Sequence, residues 1–497
     1  MIGEHWGVVA AMPSVDVGAA WKSTLDAVMG VGLMDGWLPT TVYVATAVAA
    51  GLLVAAQLLR LQVGRLLAEL LVAALAGGVG AVAAWLIGNK YMVFGIYMGW
   101  TMIWMITVTV AVVGWAIATA VLNRGWRRVV AIVLVPLALL SLALRIVAVT
   151  GQYRTVGSLF DYGSYESFES LHDSSVKGTA ATSRAVPLDD WLKQVADGRV
   201  SVPAEPKLVE ATIPATVSGF KARPALVWLP PAALAEPAAQ LPVFIMLAGQ
   251  PGSPGRFFDA SDVRQLVTKY AATHGGVAPI IVSPDQNGDN TVNSLCANTT
   301  THGAAETYLT VDVPNWIRRH LPVAASPDSW VIGGYSQGGT CAVELGPNHP
   351  DLFGTVLSIG AELQPTDGNV DEMVSREFNG DRSAYDRLVP VNAIAAHAPS
   401  TQTLVMGSGA EDRYSLANIG TIGDAAAAHG WQVVALKAYG TAHTWKAANA
   451  VFTSAVPWLC DRLGLGGDAA RQAASSTASA ATNHWFADNT GIEVIRP

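Results

Sequence analysis

The chain has 497 residues and a formal net charge of −8, with 14% of its residues charged and 51% hydrophobic. Soluble globular domains carry about 25% charged residues, so this composition excludes a disordered chain, and the acidic balance argues against a nucleic-acid binder. The average composition combines two parts of the chain that differ in charge. Residues 1–150 hold eight Lys and Arg against five Asp and Glu, a net charge of +3, which leaves −11 for the rest.

The apolar excess is concentrated in the first third of the chain. A membrane-spanning helix needs about 20 consecutive apolar residues. Four stretches meet that length: 37–59, 66–88, 97–122 and 129–149. We therefore predict four transmembrane helices within 37–149, preceded by an N-terminal segment at 1–36.

The connecting loops differ in positive charge. The second carries only Lys90, whereas the first and third carry Arg60, Arg65, Arg124, Arg127 and Arg128. Because arginine-rich loops stay in the cytoplasm, loops one and three are predicted to lie inside, and both ends of the chain outside. The sequence therefore predicts a multi-pass protein of the cell membrane with an extracytoplasmic C-terminal domain.

Two charged residues, Glu69 and Arg145, lie within the predicted spans. An ionisable residue inside a membrane is a functional candidate by default. Both lie near helix ends, however, where a long side chain reaches the interface at low cost. We therefore expect interfacial side chains here rather than a transport or relay role.

The remaining sequence alternates between apolar β-rich runs and helical patterns, which indicates an α/β fold with a mainly parallel sheet and helices on both faces. We divide it into a linker at 150–205, an α/β domain at 206–462 with a lid-like insertion at 364–400, and a low-complexity tail at 463–497. Eight strands are predicted, at 206–213, 224–230, 242–249, 278–284, 329–336, 353–360, 402–409 and 432–440.

The three cysteines, Cys296, Cys341 and Cys460, all lie in the domain predicted to be exported, where disulfides persist. Their spacing fits no zinc pattern, so no metal site is predicted. Three pairings are open. We favour Cys296 with Cys341, because Cys460 lies in an apolar run and is expected to be a buried free thiol.

The sequence Gly334-Tyr335-Ser336-Gln337-Gly338 is a G-x-S-x-G motif that directly follows an apolar strand and begins a helix. Such a strand–turn–helix lifts the serine hydroxyl above the sheet, and the glycines allow strand and helix to approach closely. We predict that Ser336 is a catalytic nucleophile. The alternative is a glycine-rich turn with a capping serine.

A serine nucleophile needs a base and an orienting acid, which follow it in the order acid, histidine in this fold. His443 follows the last predicted strand and begins a helix, so it is the predicted base, with His397 in the insertion as a contender. Asp412 is preferred to Glu411 as the acid, because a short carboxylate suits the loop after the seventh strand. Asp285 reaches the same edge and is interpreted as a loop or substrate contact.

The oxyanion of the tetrahedral intermediate needs backbone N–H donors. One is expected from Gln337, the residue after the nucleophile. The other is expected from the loop after the third strand, with Gln250 preferred and Gly249 second, because the loop glycines permit close approach and Pro251 cannot donate.

The segments LAGQPGSP, ETYLTVDVPNWI, GGYSQGG and GTAHTW together resemble the esterase-D-like α/β-hydrolases, which include feruloyl and acetyl xylan esterases and secreted mycolyltransferases of actinobacteria. The resemblance covers about half of the chain, at 206–462. It implies an α/β-hydrolase fold, Ser336 as nucleophile and His443 as base. The loop after the third strand lacks the His-Gly pair of many members, and the secreted members lack membrane spans.

These features predict a membrane-anchored serine esterase that needs no cofactor and hydrolyses an ester of a lipid or envelope glycolipid, an aminoacyl lipid being one candidate. Glu362 follows the sixth strand and could receive a substrate ammonium, or else pair with Arg376 or Arg382. An acyltransferase of envelope glycolipids and a non-catalytic membrane scaffold are the alternative functions. Beyond the lipid substrate and the bilayer, no partner is predicted.

Overall fold

A computed structural model describes most of the chain. The described residues are 17–59, 63–93, 95, 97–173, 185–475 and 491–496. Arg60, on which the charge of the first loop partly rests, lies outside them.

The first third forms five helices. They are α1 (Val17–Met29), α2 (Trp37–Leu58), α3 (Val63–Trp85), α4 (Trp100–Leu122) and α5 (Trp126–Thr150), with α3 prolonged by a π-helical turn, Leu86–Lys90. By length and composition, α2, α3 with its extension, α4 and α5 could each cross a membrane. Their bounds lie within a few residues of the four predicted spans.

Small residues bring α3 and α4 together. A Cβ at Gly77 would lie 3.0 Å from the Cβ of Ala111, and one at Gly114 would lie 2.5 Å from the Cβ of Ala76. Glycine and alanine at a helix interface let two backbones approach closely, and the resulting dispersion contacts favour helix association in a lipid environment. These positions explain why α3 and α4 form an antiparallel pair.

Glu69 does not extend towards an interface as expected. Its side chain is buried between the helices and accepts hydrogen bonds from Trp115 Nε1 (3.2 Å), Thr119 Oγ1 (3.0 Å) and Asn123 Nδ2 (3.0 Å). Gln57 of α2 also donates to it. Because a buried carboxylate is stable only with partners, this network holds α2, α3 and α4 together at one end of the module.

The rest of the chain forms a ten-stranded sheet within the described residues. In chain order the strands are β1 (Glu166–Ser167), β2 (Lys207–Ala211), β3 (Ala225–Leu229), β4 (Val243–Leu247), β5 (Ile280–Ser283), β8 (Trp330–Tyr335), β9 (Thr355–Ile359), β10 (Thr403–Gly409), β11 (Gln432–Ala438) and β12 (Ile492–Arg496). A separate ladder contains β6 (Asn298–Thr299) and β7 (Gly303–Ala304).

The strand order is β1-β2-β3-β5-β4-β8-β9-β10-β11-β12. From β5 through β4, β8, β9, β10 and β11 every neighbour is parallel, whereas β3 and β12 run antiparallel to the strands beside them. All eight predicted strands are present. The central ones are buried along their whole length, as expected for apolar runs covered on both faces.

The described residues after α5 also form helices, several of which cover the two faces of this sheet. They are α6 (Ser170–Asp173), α7 (Leu188–Ala196), α8 (Pro231–Leu234), α9 (Pro254–Ala260), α10 (Val263–Thr273), α11 (Ala305–Thr307), α12 (Val313–His320), α13 (Gln337–Asn348), α14 (Val370–Glu377), α15 (Arg382–Asp386), α16 (Pro390–Ala396), α17 (Arg413–Ala428), α18 (Trp445–Arg462) and α19 (Asp468–Ser475). Both α17 and α18 pack on β10 and β11, while α17 contacts α16 and α18 contacts α10, which separates the two layers.

Two regions differ from the sequence interpretation. The predicted linker contributes β1, α6 and α7, and β1 pairs in parallel with β2 at one edge of the sheet. The described parts of the predicted low-complexity tail form α19 and β12, and β12 pairs with β11 at the other edge. Both edge strands depend on pairing with a distant strand, which local sequence patterns do not indicate.

The insertion at 364–400 folds as three short helices, α14, α15 and α16. Met373, Phe378 and Tyr385 form a small apolar core that also includes Leu295 from the loop after β5. Arg387, just beyond α15, makes a bidentate ion pair with Glu306, with N–O distances of 2.9 and 2.6 Å. The insertion is therefore packed against the rest of the domain.

Candidate active site

Ser336 lies in the tight turn between β8 and α13. Its φ angle is +58°, which non-glycine residues rarely adopt, and its N–H donates to the carbonyl of Ile359 on the neighbouring strand. The flanking glycines allow this turn. A Cβ at Gly334 would lie 2.5 Å, and one at Gly338 2.3 Å, from the carbonyl oxygen of Leu247. The motif therefore presents the serine hydroxyl above the carboxyl edge of the sheet.

The structure brings Ser336, His443 and Asp412 together. His443 Nε2 lies 2.8 Å from Ser336 Oγ, and Nδ1 lies 2.7 Å from Asp412 Oδ2. The three residues follow β8, β11 and β10, which are parallel strands of one sheet, so they meet at the same edge. An ionised carboxylate only accepts hydrogen bonds, so the ring donates through Nδ1–H and accepts the serine hydroxyl at Nε2.

Asp412 is buried at the N-terminus of α17. Its Oδ1 accepts from the N–H of Ser415 at 3.1 Å, and its Oδ2 accepts from Ser408 Oγ at 3.2 Å. Burial opposes ionisation, but the hydrogen bonds from His443 and Ser415 hold the pKa of Asp412 below its ordinary value. The site therefore favours the charged form that orients His443.

Glu411 and His397, the two alternatives for the acid and the base, lie in other contacts. Glu411 Oε2 accepts from the N–H of Trp100 at the start of α4, at 3.2 Å. His397 ends α16 in the insertion, where its Nδ1 lies 3.2 Å from the carbonyl oxygen of Ala393. In this arrangement neither residue occupies the place of Asp412 or His443.

The loop after β4 lies directly against the serine. A Cβ at Gly249 would be 3.2 Å from Ser336 Cβ, and Gln250 lines the same cavity as Ser336 and Gln337. The three predicted oxyanion donors are therefore gathered around the nucleophile. The space beside Gly249 is tight, because a Cβ there would also lie 3.2 Å from the carbonyl oxygen of Tyr335.

A network of side-chain amides positions Gln337. Its Nε2 donates to Asn287 Oδ1 (2.8 Å) and Asn293 Oδ1 (2.7 Å), and its Oε1 accepts from Asn287 Nδ2 (2.8 Å). Gln286, beside Asn287, donates to the carbonyl of Ala248 at 2.7 Å. The loop after β5 thus connects the two segments that carry the predicted oxyanion donors.

A disulfide joins the same loop to α13. Cys296 and Cys341 have an S–S distance of 2.00 Å and a Cα–Cα distance of 5.6 Å, and this is the pairing favoured from the sequence. Cys341 lies five residues after Ser336. Cys460 is a free, buried cysteine in α18. The disulfide therefore constrains the loop that positions Gln337.

A cavity of about 110 Å³ opens beside Ser336. The residues that line it are Gly95, Gln250, Asn293, Leu295, Ser336, Gln337, Thr340, Cys341, Glu344, Glu362, Pro365 and Thr366. Polar side chains from several segments of the domain therefore converge beside the nucleophile.

Two carboxylates line this cavity. Glu362, predicted to face the pocket, accepts a hydrogen bond from Thr366 Oγ1 at 2.5 Å, and burial raises its pKa. Its proposed pairing with Arg376 or Arg382 is wrong. Arg376 binds Asp367 at an N–O distance of 2.8 Å and Glu377 at 2.7 Å. Arg382 binds Asp371 at 3.4 Å and Asp386 at 2.8 Å.

Glu344, the second carboxylate, was not identified from the sequence. It is fully buried on α13, and neither of its carboxylate oxygens has a hydrogen-bond partner among the described residues. Burial raises the pKa of Glu344 well above its usual value. A charged residue in the otherwise apolar run CAVELG, eight residues after the nucleophile, is a signal that could have found it.

Asp285 is not in the cavity, and its interpretation as a substrate contact is wrong. It is fully buried, and its two oxygens accept from Arg223 Nη2 (2.8 Å) and Arg223 Nε (2.9 Å). The backbone N–H groups of Asn287 and Gly288 also donate to it, each at 3.1 Å. With these partners Asp285 shapes the loop after β5 and has no position facing a ligand.

No group of three or more His, Cys, Asp or Glu side chains in the described part of the chain is arranged to hold a metal ion. The chemistry available at this edge is that of Ser336, His443, Asp412 and the surrounding amides.

The sheet topology, the strained serine turn and the order serine, acid, histidine define an α/β-hydrolase. Residues 221–454 match the family described as "Putative esterase". This match covers just under half of the chain and agrees with the resemblance to esterase-D-like enzymes. It supports a carboxylic ester hydrolase.

An uncharacterised protein of Corynebacterium glutamicum is 31% identical to the chain over 287 residues, which are 58% of this chain and 64% of that protein. The chain thus spans somewhat less than two thirds of the length of this relative.

Two solved structures are similar to this chain over about half of its length. An S-formylglutathione hydrolase from Agrobacterium tumefaciens is 16% identical, with a TM-score of 0.44 over 53% of this chain and 99% of its own. A ferulic acid esterase is 19% identical, with a TM-score of 0.43 over 52% of this chain and 99% of its own.

Proposed function

We propose that this protein is a membrane-anchored serine esterase that hydrolyses an ester of a lipid at the outer face of the cytoplasmic membrane. The observation that carries the proposal is the continuous hydrogen-bonded line from Ser336 Oγ through His443 to the buried Asp412. A nucleophile, a base and an orienting acid within hydrogen-bond distance are what acyl transfer requires.

In the proposed mechanism Ser336 Oγ attacks the ester carbonyl carbon while His443 Nε2 takes the hydroxyl proton. Asp412 holds the ring in the tautomer that leaves Nε2 free to accept, and it stabilises the imidazolium that forms. The imidazolium then protonates the leaving alcohol as the tetrahedral intermediate collapses to an acyl-enzyme. A water molecule, deprotonated by His443, attacks the acyl-enzyme, and Ser336 regains its proton.

The negative charge of the tetrahedral intermediate is proposed to rest on the backbone N–H of Gln337 and on a backbone N–H of the loop after β4, from Gln250 or Gly249. The closeness of Gly249 to Ser336 and the amide network around Gln337 support this assignment, because fixed donors need no reorganisation during the reaction.

The two carboxylates of the cavity support an acyl group that carries an ammonium. Glu344 and Glu362 are acceptors without a neighbouring lysine or arginine in the cavity lining. A cation placed beside them would favour their ionised forms and would supply the partner that Glu344 lacks. An aminoacyl ester of a lipid has this charge next to its ester bond, so we propose an aminoacyl lipid as the substrate.

The membrane location is supported by four helices of spanning length, and the orientation by the arginines of the third loop together with Arg65. A catalytic domain held at a membrane surface meets lipid-linked esters at a raised effective concentration.

The alternatives receive less support. A mycolyl-type acyltransferase would have to accommodate a long apolar chain, whereas the cavity beside Ser336 is small. A non-catalytic scaffold would not require the strained φ of Ser336 or the burial of Asp412, both of which cost stability.

Labelling with a fluorophosphonate tests the proposal. Wild-type protein in membranes should react at Ser336, and Ser336→Ala should abolish labelling and lower ester hydrolysis by at least about a thousand-fold. Asp412→Asn should lower hydrolysis by about ten-thousand-fold, because the wrong tautomer is then favoured.

Ser383→Ala, at an exposed serine of α15, is the matched control and should label normally. Persistent labelling of Ser336→Ala, or a folded wild type that does not react, would contradict the assignment.

A further inference from the structure

The membrane helices contact the hydrolase domain at the edge that carries the triad. Gly95, in the connection between α3 and α4, lines the cavity beside Ser336. The N–H of Trp100, the first residue of α4, donates to Glu411 Oε2 at 3.2 Å. The helical module therefore contributes directly to the surroundings of the candidate site.

The start of α4 packs closely against two loops of the hydrolase domain. A Cβ at Gly99 would lie 2.6 Å from Glu411 Oε2 and 2.8 Å from the Cβ of Ala442, so only glycine fits without a shift. Glu411 immediately precedes Asp412, and Ala442 immediately precedes His443. The start of α4 thus rests on the two loops that hold the acid and the base.

A second contact lies on the other side of the cavity, beyond the end of α5. Gln152 Nε2 donates to the carbonyl of Pro251 at 3.0 Å, in the loop that carries the predicted oxyanion donors. Arg154 forms an ion pair with Asp262 at 2.5 Å. The helical module therefore touches the loops on both sides of Ser336.

The charge of Glu411 suits its position. The first N–H groups of a helix have no partner within the helix and carry a partial positive charge, so a carboxylate there is stabilised. Because α4 is a 23-residue helix of membrane-spanning length, a contact at its first residue places the catalytic edge at the end of the helix bundle.

We propose that the joined ends of α3 and α4 form a wall of the substrate pocket, held by Glu411, so that the pocket takes the ester of a lipid that remains embedded in the bilayer. The inference rests on the proposed function and adds how the substrate reaches the site. Glu411 is a positioning residue in this arrangement: it makes no contact with the triad side chains, and it orients the membrane helices against the pocket.

The test compares two probes of the same nucleophile on full-length protein reconstituted in phosphatidylglycerol vesicles. One is a short water-soluble fluorophosphonate, and the other is a hexadecyl fluorophosphonate dissolved in the bilayer. For Glu411→Ala and Gly99→Ala, labelling by the bilayer probe should slow by about five-fold or more, the effect of one lost hydrogen bond, while labelling by the soluble probe stays within about two-fold.

Three further variants serve as controls for this comparison. Glu411→Gln keeps an acceptor for the N–H of Trp100 and should restore labelling by the bilayer probe. Asp351→Asn, an exposed residue before β9 at the opposite edge of the sheet, should change neither rate. The double variant Glu411→Ala/Gly99→Ala should be no slower than either single variant, because both break the same contact.

An equal loss of labelling rate with both probes would overturn the inference, since Glu411 would then act on the triad itself. Unchanged labelling rates with both probes would also overturn it. If the wild type reacts with neither probe, the proposed function fails. The contact between α4 and Glu411 is then tested by a measurement that does not depend on activity. Hydrogen exchange at the amide of Trp100 should then be faster in Glu411→Ala than in wild type, because that amide loses its acceptor, and equal exchange in the two folded proteins would overturn the docking of α4.

Discussion

Glu344 and Glu377 are both buried glutamates of the hydrolase domain, but their surroundings differ. Glu377 binds Arg376 at 2.7 Å and lies 3.6 Å from His302, whereas the oxygens of Glu344 have no hydrogen-bond partner in the described part of the chain. A buried carboxyl group without partners costs stability and persists where function needs it. This contrast makes Glu344 the clearest candidate for a residue kept for substrate binding.

We predict that Glu344→Leu stabilises the unliganded protein by about 1–3 kcal/mol, because it removes the cost of an unsatisfied buried polar group at nearly constant volume. The same variant should lower kcat/KM for an ester whose acyl group carries an ammonium by about ten-fold or more, while a neutral ester of equal size is hydrolysed normally. Thermal unfolding in detergent and paired kinetics measure the two effects.

Glu377→Leu is the matched control, and it should destabilise the protein, because it removes the ion pair with Arg376 and the contact with His302. A loss of stability in Glu344→Leu, or an equal loss of activity on both esters, would contradict a role in binding the ammonium.

At the scale of elements, the insertion is held to the domain by the ion pair between Arg387 and Glu306. Burial opposes ionisation of Glu306, but the nearby imidazole of His349, at 3.5 Å, and the two hydrogen bonds from Arg387 lower its pKa to about 2, from an ordinary value of 4.5. A carboxyl group with a lowered pKa stabilises the fold fully above its unfolded pKa, and the stabilisation is lost as the pH falls through the folded pKa. This contribution is therefore complete above pH 4.5 and disappears towards pH 2.

We predict that Arg387→Met lowers the free energy of unfolding at pH 7 by about 2 kcal/mol, a value reduced because the arginine is half exposed. The difference from wild type should shrink as the pH falls from 4.5 towards 2, because Glu306 becomes increasingly protonated and then gains less from Arg387. Thermal unfolding at a series of pH values measures this. A difference independent of pH would show that Arg387 acts by packing alone.

At the scale of the whole molecule, the basic loop between α4 and α5 and the hydrolase domain lie at opposite ends of the helical module. Arg124 is in that loop, while Gly95 and Gly99 contact the hydrolase domain at the other end. By the positive-inside rule we therefore expect the catalytic edge at the outer surface of the membrane.

We predict that a cysteine introduced at exposed Thr421 of α17 reacts with a membrane-impermeant maleimide in intact cells, whereas one at exposed Arg124 reacts only after permeabilisation. The native disulfide and the buried Cys460 give little background. The reverse pattern of labelling would place the hydrolase domain in the cytoplasm and remove the envelope substrates from consideration.

Local patterns in the sequence determined much of this protein. Apolar runs of fixed length predict the four long helices and the eight strands, because helix length and strand burial depend on residues close together in the chain. The G-x-S-x-G turn and the strand ends preceding Asp412 and His443 were also readable, since parallel strands place their carboxyl ends at one edge.

Only the tertiary structure decided the features that depend on distant partners. The strands β1 and β12 exist through pairing with β2 and β11, and Asp285 is removed from the pocket by Arg223. Glu69 is buried by donors from two other helices, and Glu411 is engaged by α4, more than 300 residues away in the chain. The reason is physical: a side chain's charge state, burial and role are set by what folds against it, which local sequence does not contain.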